Sequence, residues 1–219
     1  MSAQNPQVVE AFYALIRLLP RFDHQTSRRH LPRNGVYLFF EKGETVRYLD
    51  MITDRIVRIG THRADGRFRS RIRLHYGNVR SLAGHKNASV FRKHLGGALL
   101  RKADPQDLRL RDWLTQGGPS FPEVEEMVSR VLRENFTFCC FRVDQRNERR
   151  SLERGLIALF SQYPLGQPSR SWLGRLAASE KIRRTGLWNT QHIDAELLTL
   201  KEFWRLEQLV KTTLVEAVT

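Results

Sequence analysis

An α+β fold, within the broad α/β class, is predicted for this 219-residue chain by two features of its hydrophobic pattern. Three apolar runs have strand character: Tyr37 to Phe40, Arg55 to Gly60 and Phe136 to Val143. Between and around them, apolar residues recur at the three-to-four spacing of amphipathic helices. With 41% hydrophobic residues the chain has enough apolar surface for one substantial core, so residues 1–219 are expected to form a single domain.

The elements follow in order. Residues 5–20 read as a helix, because Val8, Val9, Phe12, Leu15, Ile16 and Leu19 share one face, and Pro20 stops it. A polar, basic link leads to the strand at Tyr37 to Phe40, which the polar Glu41-Lys42-Gly43-Glu44 should end as a turn. Arg55 to Gly60 forms the second strand. Phe68 to Tyr76 is a helix, with Phe68, Ile72 and Tyr76 on one stripe and Arg71 and His75 on its neighbour. Residues 77–118 form an insertion rich in Gly, His, Lys and Arg, with a helical stretch from Val90 to Leu100. Glu123 to Glu134 is amphipathic, with Val124, Met127, Val128, Val131 and Leu132 inward. Phe136 to Val143 is almost continuously apolar, as a strand buried on both faces should be. Ser151 to Tyr163 is a helix with Leu152, Leu156, Leu159 and Phe160 on its core side. Pro164 to Trp188 is rich in loop, with a short segment at Trp172 to Ala178, and 195–215 is a closing amphipathic helix.

Charge narrows the function. Thirty-seven Lys and Arg against 23 Asp and Glu give +14, which favours a polyanionic partner. Most of the positive charge is Arg, which grips phosphate with paired hydrogen bonds. The two cysteines, Cys139 and Cys140, are adjacent, so on a strand they point to opposite faces and are poorly placed to bond each other. A reduced, cytoplasmic setting is expected. No apolar run approaches the ~18 residues that a membrane span requires, and there is no charged start with an apolar signal core. His24, His30, His62, His85, His94 and His192 show no zinc-ligand spacing. Neither a nucleophile elbow nor a phosphate-cradling glycine loop is present.

Six residues are the candidates for chemistry. Gly35-Val36-Tyr37 opens the first strand and Arg58-Ile59-Gly60 closes the second. Arg71 and His75 follow one helical turn apart, then Glu153 within SLERGLIALF and Asn189 within GLWN. In this order the chain resembles the GIY-YIG nuclease family, over roughly residues 31–192. The resemblance implies a small three-stranded antiparallel sheet flanked by helices, carrying a metal-dependent DNA endonuclease site. Tyr37 then matches the tyrosine of the first tripeptide, Arg71 and His75 the helix pair, Glu153 the metal-binding glutamate and Asn189 the late asparagine. Mg²⁺ or Mn²⁺ is the implied cofactor, with hydrolysis leaving 5′-phosphate and 3′-hydroxyl ends.

The second tripeptide departs from the family, with Arg58 where tyrosine is usual. One reading is a decayed site. The other is a changed proton path, in which a cation beside Tyr37 favours its phenolate and Tyr37 acts as general base. The second is preferred because Arg71, His75, Glu153 and Asn189 are all kept. Taken singly, each residue has an ordinary alternative. Tyr37 suits a core strand, and Arg71 and His75 suit a solvated helix face. Glu153 suits a salt bridge to Arg149, Arg150 or Arg154, and Asn189 suits a helix cap.

Nucleic-acid contacts are expected from Arg67 and Arg69 and from the insertion's His85, Lys86, Asn87, Arg92, Lys93 and Arg101. A solvated basic helix packing through Val90, Phe91, Leu95 and Leu99 is the alternative. The expected partner is DNA, most simply duplex. Three functions stay in view: a restriction-type or phage-defence endonuclease, a structure-selective repair nuclease, and a non-catalytic binding protein with a degenerate site. Palindromic cutting would require a homodimer. The closing helix is the candidate interface, although its apolar face of Leu197, Leu198, Phe203, Leu206 and Val210 is more simply read as part of the core.

Overall fold

The computed structural model describes residues 5–48 and 51–218. It is an α+β protein with one three-stranded antiparallel sheet. The elements run α1 (Asn5–Ile16), β1 (Gly35–Tyr48), β2 (Met51–Gly60), α2 (Phe68–Tyr76), α3 (Val90–Ala103), α4 (Arg109–Leu114), α5 (Pro122–Asn135), β3 (Phe136–Arg142), α6 (Arg146–Gln162), α7 (Glu180–Thr185) and α8 (Leu200–Val218). The sheet order is β2-β1-β3. Tyr37 on the central strand lies between Gly60 and Cys140.

Alternation along β1 divides the core between two faces. Val36, Leu38 and Phe40 pack with Cys139 and Phe141 against α1, α6 and α8, where Leu206 and Val210 of α8 are buried. Tyr37 and Phe39 pack with Phe138 and Cys140 against α2, α3 and α5, together with Trp172 and Trp188. Cys139 and Cys140 thus enter opposite cores as free, buried thiols. Burial pushes the Cys139 thiol up to about 12, so it is inert.

Several boundaries differ from the sequence-based expectation. The turn predicted at Glu41 to Glu44 is a bulge: β1 continues to Tyr48, with Phe40 opposite Ile56 and Thr45 opposite Asp54. Gly43 sits there at φ 85°, a left-handed backbone that glycine adopts without cost. The long bulged strand wins because Glu44, Val46 and Arg55 are buried under the later loop. α1 gives way after Ile16 to tighter turns, Leu18 N to Leu15 O and Leu19 N to Ile16 O, before Pro20. α6 begins five residues before the predicted Ser151, at Arg146, and α8 begins at Leu200 rather than 195. Two helices, α4 and α7, stand where loop was expected; each has six residues, too short for a periodic signal.

A second irregularity in β1–β2 matters for function. Arg58 pairs with Phe39 but Ile56 pairs with Phe40, leaving Val57 as the extra residue. This bulge turns Arg58 onto the face that carries Tyr37 and Phe39.

Candidate active site

Tyr37 is the centre of the site. It is fully buried on the middle strand, with its hydroxyl 2.8 Å from His75 Nε2. Gly60 makes room for it: a side chain there would meet the Tyr37 hydroxyl at 2.2 Å. At Gly35 a side chain would instead meet the Phe141 carbonyl oxygen of β3 at 2.5 Å. The phenol can lie across the end of β2 because position 60 has no Cβ.

His75 comes from the last turn of α2 and is also fully buried. Its ring packs edge-on to Tyr37, Phe39 and Phe91, and its Nδ1 lies 2.9 Å from Ser89 Oγ. Burial holds this imidazole well below its ordinary value, with Arg71, Arg58 and Arg92 adding to the effect. It is therefore neutral at physiological pH.

Arg58 is buried, with its guanidinium 4.9 Å from the centre of the Phe91 ring and NH1 donating to the Trp188 carbonyl. Its Nε is buried with no partner among the described residues. Burial lowers its affinity for its proton, and Tyr37 and Glu153 pull the other way. Arg71, on the outer stripe of α2, donates to the Ala88 carbonyl at 2.9 Å. Glu153 reaches the end of β2 from α6, where Thr61 N–H donates to Oε1 at 3.0 Å. Burial raises its pKa against the opposing charges of Arg58, Arg71 and Arg150. Tyr37, Arg58, Arg71, His75 and Glu153 therefore share one electrostatic neighbourhood, although they come from β1, β2, α2 and α6.

Asn189 is nearby but differently engaged. Its Oδ1 accepts from Ile59 N–H at 3.1 Å, and its Nδ2 donates to Ile59 C=O at 2.8 Å. With Trp188 N–H on the Val57 carbonyl at 2.7 Å, it covers the outer edge of β2 as a fourth strand would. The loop that delivers it is pinned to the bulged hairpin. Glu44 accepts from Arg55 and from Ser169, and Arg55 NH1 donates to the Gly186 carbonyl at 2.6 Å. Glu41 accepts from the indoles of Trp172 and Trp188 at 2.9 and 3.2 Å, and burial raises its pKa to about 7.

The insertion is an inner wall of this site. Ser89 caps α3 and touches His75, Ala88 holds Arg71, and Arg92 NH1 donates to the His75 carbonyl at 2.8 Å. This corrects the expectation that Arg92 and Lys86 face nucleic acid, because both are interior. Arg92 pairs with Glu125 at 2.6 Å and bonds Ser129. Lys86 Nζ caps the end of α4 on the carbonyls of Asp112, Trp113 and Thr115. Asn87 ties Gly117 to Gly118, Lys93 bonds Gln116, and Arg101 reaches the carbonyls of Leu176 and Ala177. Arg69 donates twice to the Leu31 carbonyl, while Arg67 and His85 are exposed.

The basic surface with a defined shape lies elsewhere. A cleft of about 650 Å³ is rimmed by Arg29, Arg33, Arg69 and Arg142, with Phe22, Leu31, Pro32 and Cys140 among its lining. It does not open on Tyr37, but its wall includes Asn34, the residue before β1, and Asp65-Gly66 ahead of α2. Arg29 and Arg33 lie in the basic link before β1, and the fold brings Arg69 and Arg142 to them. Sequence reasoning also passed over Ser89 and Thr61, which carry no motif of their own.

Among the described residues, no group of three or more His, Cys, Asp or Glu is arranged to hold a metal, and no helix is long and apolar enough to cross a membrane. The GIY-YIG domain family model matches residues 6–215, taking in the first and last helices as well as the sheet. No curated protein and no solved structure matches the chain.

Proposed function

The chain belongs to the GIY-YIG domain family, a nuclease domain, and we propose that it is a divalent-metal-dependent endonuclease hydrolysing DNA phosphodiester bonds. The observation that carries this reading is the convergence of Tyr37, Arg58, Arg71, His75 and Glu153 around the end of β2.

Hydrolysis needs a base for water, cations for the phosphate and a proton for the leaving oxygen. Tyr37, as phenolate, takes the proton as the water oxygen bonds to phosphorus. The bond from phosphorus to the 3′-oxygen breaks, and that oxygen is protonated from solvent. The products carry 5′-phosphate and 3′-hydroxyl ends. Arg58 stands where the family usually has tyrosine: its buried cation neighbours Tyr37 and Glu153, and its Nε, with no partner among the described residues, is a donor suited to a phosphate oxygen. Arg71 supplies a second guanidinium for the phosphate oxygens.

Glu153 fits a hard divalent ion rather than zinc, because one carboxylate is the natural protein share of a Mg²⁺ site otherwise filled by water and phosphate oxygens. Bound there, Mg²⁺ or Mn²⁺ supplies charge neutralisation of the phosphate and of the leaving oxygen. Asn189 acts through Ile59, by keeping β2, and with it Arg58 and Gly60, in register. DNA is taken to approach along the arginine-rimmed cleft, where Arg29, Arg33 and Arg69 suit a phosphate backbone and Arg142 pairs with Asp144. Restriction-type or defence cutting is the working assignment, and a duplex library read by sequencing its cut ends tests it.

Purified protein is incubated with supercoiled and linear duplex DNA, with Mg²⁺, Mn²⁺ or EDTA, beside Glu153→Ala and Arg71→Ala. The expected result is metal-dependent cutting by the wild type alone, with binding kept in Glu153→Ala. Binding without cutting on every substrate, branched DNA and RNA included, overturns the reading in favour of a binding protein.

A further inference from the structure

Ser89 has no place in the six-residue constellation, yet its hydroxyl touches the ring on which Tyr37 depends. It is fully buried and has two polar neighbours. Arg92 N–H, at 3.3 Å, can only donate to it. His75 Nδ1, at 2.9 Å, is the other. A buried hydroxyl hydrogen requires an acceptor, and Nδ1 is the one acceptor within reach of Ser89 among the described residues. Ser89 O–H therefore points at Nδ1, which must present its lone pair. The ring is neutral, so its single hydrogen sits on Nε2, aimed at the Tyr37 oxygen 2.8 Å away.

We propose that Ser89 is a positioning residue that fixes the tautomer of His75, making His75 a hydrogen-bond donor to Tyr37 rather than an acceptor of its proton. This rests on the role given to Tyr37 above. Counting hydrogens shows what the arrangement achieves. Ser89, His75 and protonated Tyr37 hold three hydrogens for two bonds, so one is always surplus. In the opposite orientation the surplus is the Ser89 hydrogen, stranded inside the protein. In the proposed orientation it is the Tyr37 hydrogen, on the atom that gives it up when Tyr37 acts as the base. Once Tyr37 has lost it, two hydrogens fill two bonds and every atom of the chain is paired. The cations facing this chain are Arg58 from β2, Arg71 from α2 and Arg92 from α3, with Glu153 from α6 the nearby carboxylate. The insertion thus reaches the chemistry through Ser89, without touching substrate.

Imidazole tautomers are read directly by long-range proton–nitrogen NMR on the full-length, nitrogen-labelled protein, with His75 assigned by its loss in His75→Gln. The wild type should show one tautomer at His75, with hydrogen on Nε2. Ser89→Thr, which keeps the hydroxyl, should retain it, and Ser89→Ala should show a mixture of the two. Single-turnover cleavage should fall about tenfold or more in Ser89→Ala and recover in Ser89→Thr. Loss of the α3 cap alone would lower the melting temperature without moving the tautomer, so the two roles separate. Hydrogen on Nδ1 in the wild type overturns the proposal even if Ser89→Ala fails to fold, as does an unchanged tautomer in a folded Ser89→Ala. The expected tautomers in a protein that cuts nothing would leave this inference standing and overturn the nuclease reading instead.

Discussion

Replacing Asn189 by alanine should cost stability first and activity as a consequence. The side chain is 6% exposed and makes two hydrogen bonds, to the N–H and C=O of a fully buried Ile59. Alanine strands both backbone groups on the outer edge of β2. An unsatisfied buried group costs about 1–3 kcal/mol, so partial relaxation puts the loss at roughly 2–4 kcal/mol. For a chain of this size that is a drop of roughly 5–15 °C in melting temperature. Asn189→Asp is the sharper variant. One carboxylate oxygen still accepts from Ile59 N–H, but the other faces the Ile59 carbonyl where an amide hydrogen used to be. It should be at least as damaging as alanine. Urea denaturation followed by circular dichroism, with Trp188 fluorescence as a local probe, measures both. A direct phosphate contact makes the opposite forecast. Loss of cleavage or binding with less than about 0.5 kcal/mol of destabilisation, inside the range of ordinary surface changes, would refute the edge-clamp argument.

Glu41 gives a pH dependence with a definite sign. Its folded pKa is raised to about 7 from an ordinary 4.5, first by burial, so the folded state holds the proton more tightly. Stability should therefore fall as pH rises through that window, by up to roughly 3 kcal/mol; Glu41→Gln should flatten this part of the curve in melts run from pH 4 to 8, and an unchanged slope would count against it. Arg92→Met should cost about 3–5 kcal/mol in urea denaturation, because it leaves the buried Glu125 carboxylate unpaired; a near-neutral result would mean that Arg92 is not the interior ion described here. Replacing Arg29 and Arg33 together by alanine should reduce the slope of log binding constant against log salt by about 2 if the cleft carries backbone phosphates. The same change at the exposed Lys102 and Lys201 is the charge-matched control, and equal effects from the two pairs would mean that the cleft has no special role.

The hydrophobic period made the sheet and the longer helices legible. The continuous apolar run in FTFCCFRV announces a strand buried on both sides, as β3 is, and Arg71 and His75 at four-residue spacing announce a shared side of one helix. What was hidden depends on partners distant in sequence. Arg92 reads as a surface charge until Glu125, 33 residues on, is seen to neutralise it. Asn189 reads as a helix cap because nothing local says that β2 has an unpaired edge 130 residues earlier. The bulge at Val57 leaves no compositional mark, yet it decides which way Arg58 points. Of the cleft arginines, 29 and 33 are near in sequence, but nothing local joins them to 69 and 142.

These hidden features have a common consequence. The insertion carries many positive charges, and in a basic chain that composition invites the idea of an arm laid on DNA. The geometry argues otherwise. Its best-placed cations face inward, and each neutralises or caps something: Arg92 the Glu125 carboxylate, Lys86 the end of α4. A cation already desolvated and paired contributes little attraction to an incoming phosphate, because its field is cancelled at short range. The insertion holds α2: Arg92 bonds the His75 carbonyl, Ser89 its ring, and Ala88 accepts from Arg71. The guanidinium rim lies apart from the insertion, in the cleft walled by Asn34 before β1 and Asp65-Gly66 ahead of α2. On the proposed function, the positioning of Tyr37 and the attraction for the substrate fall to different arginines, and single substitutions should separate the two.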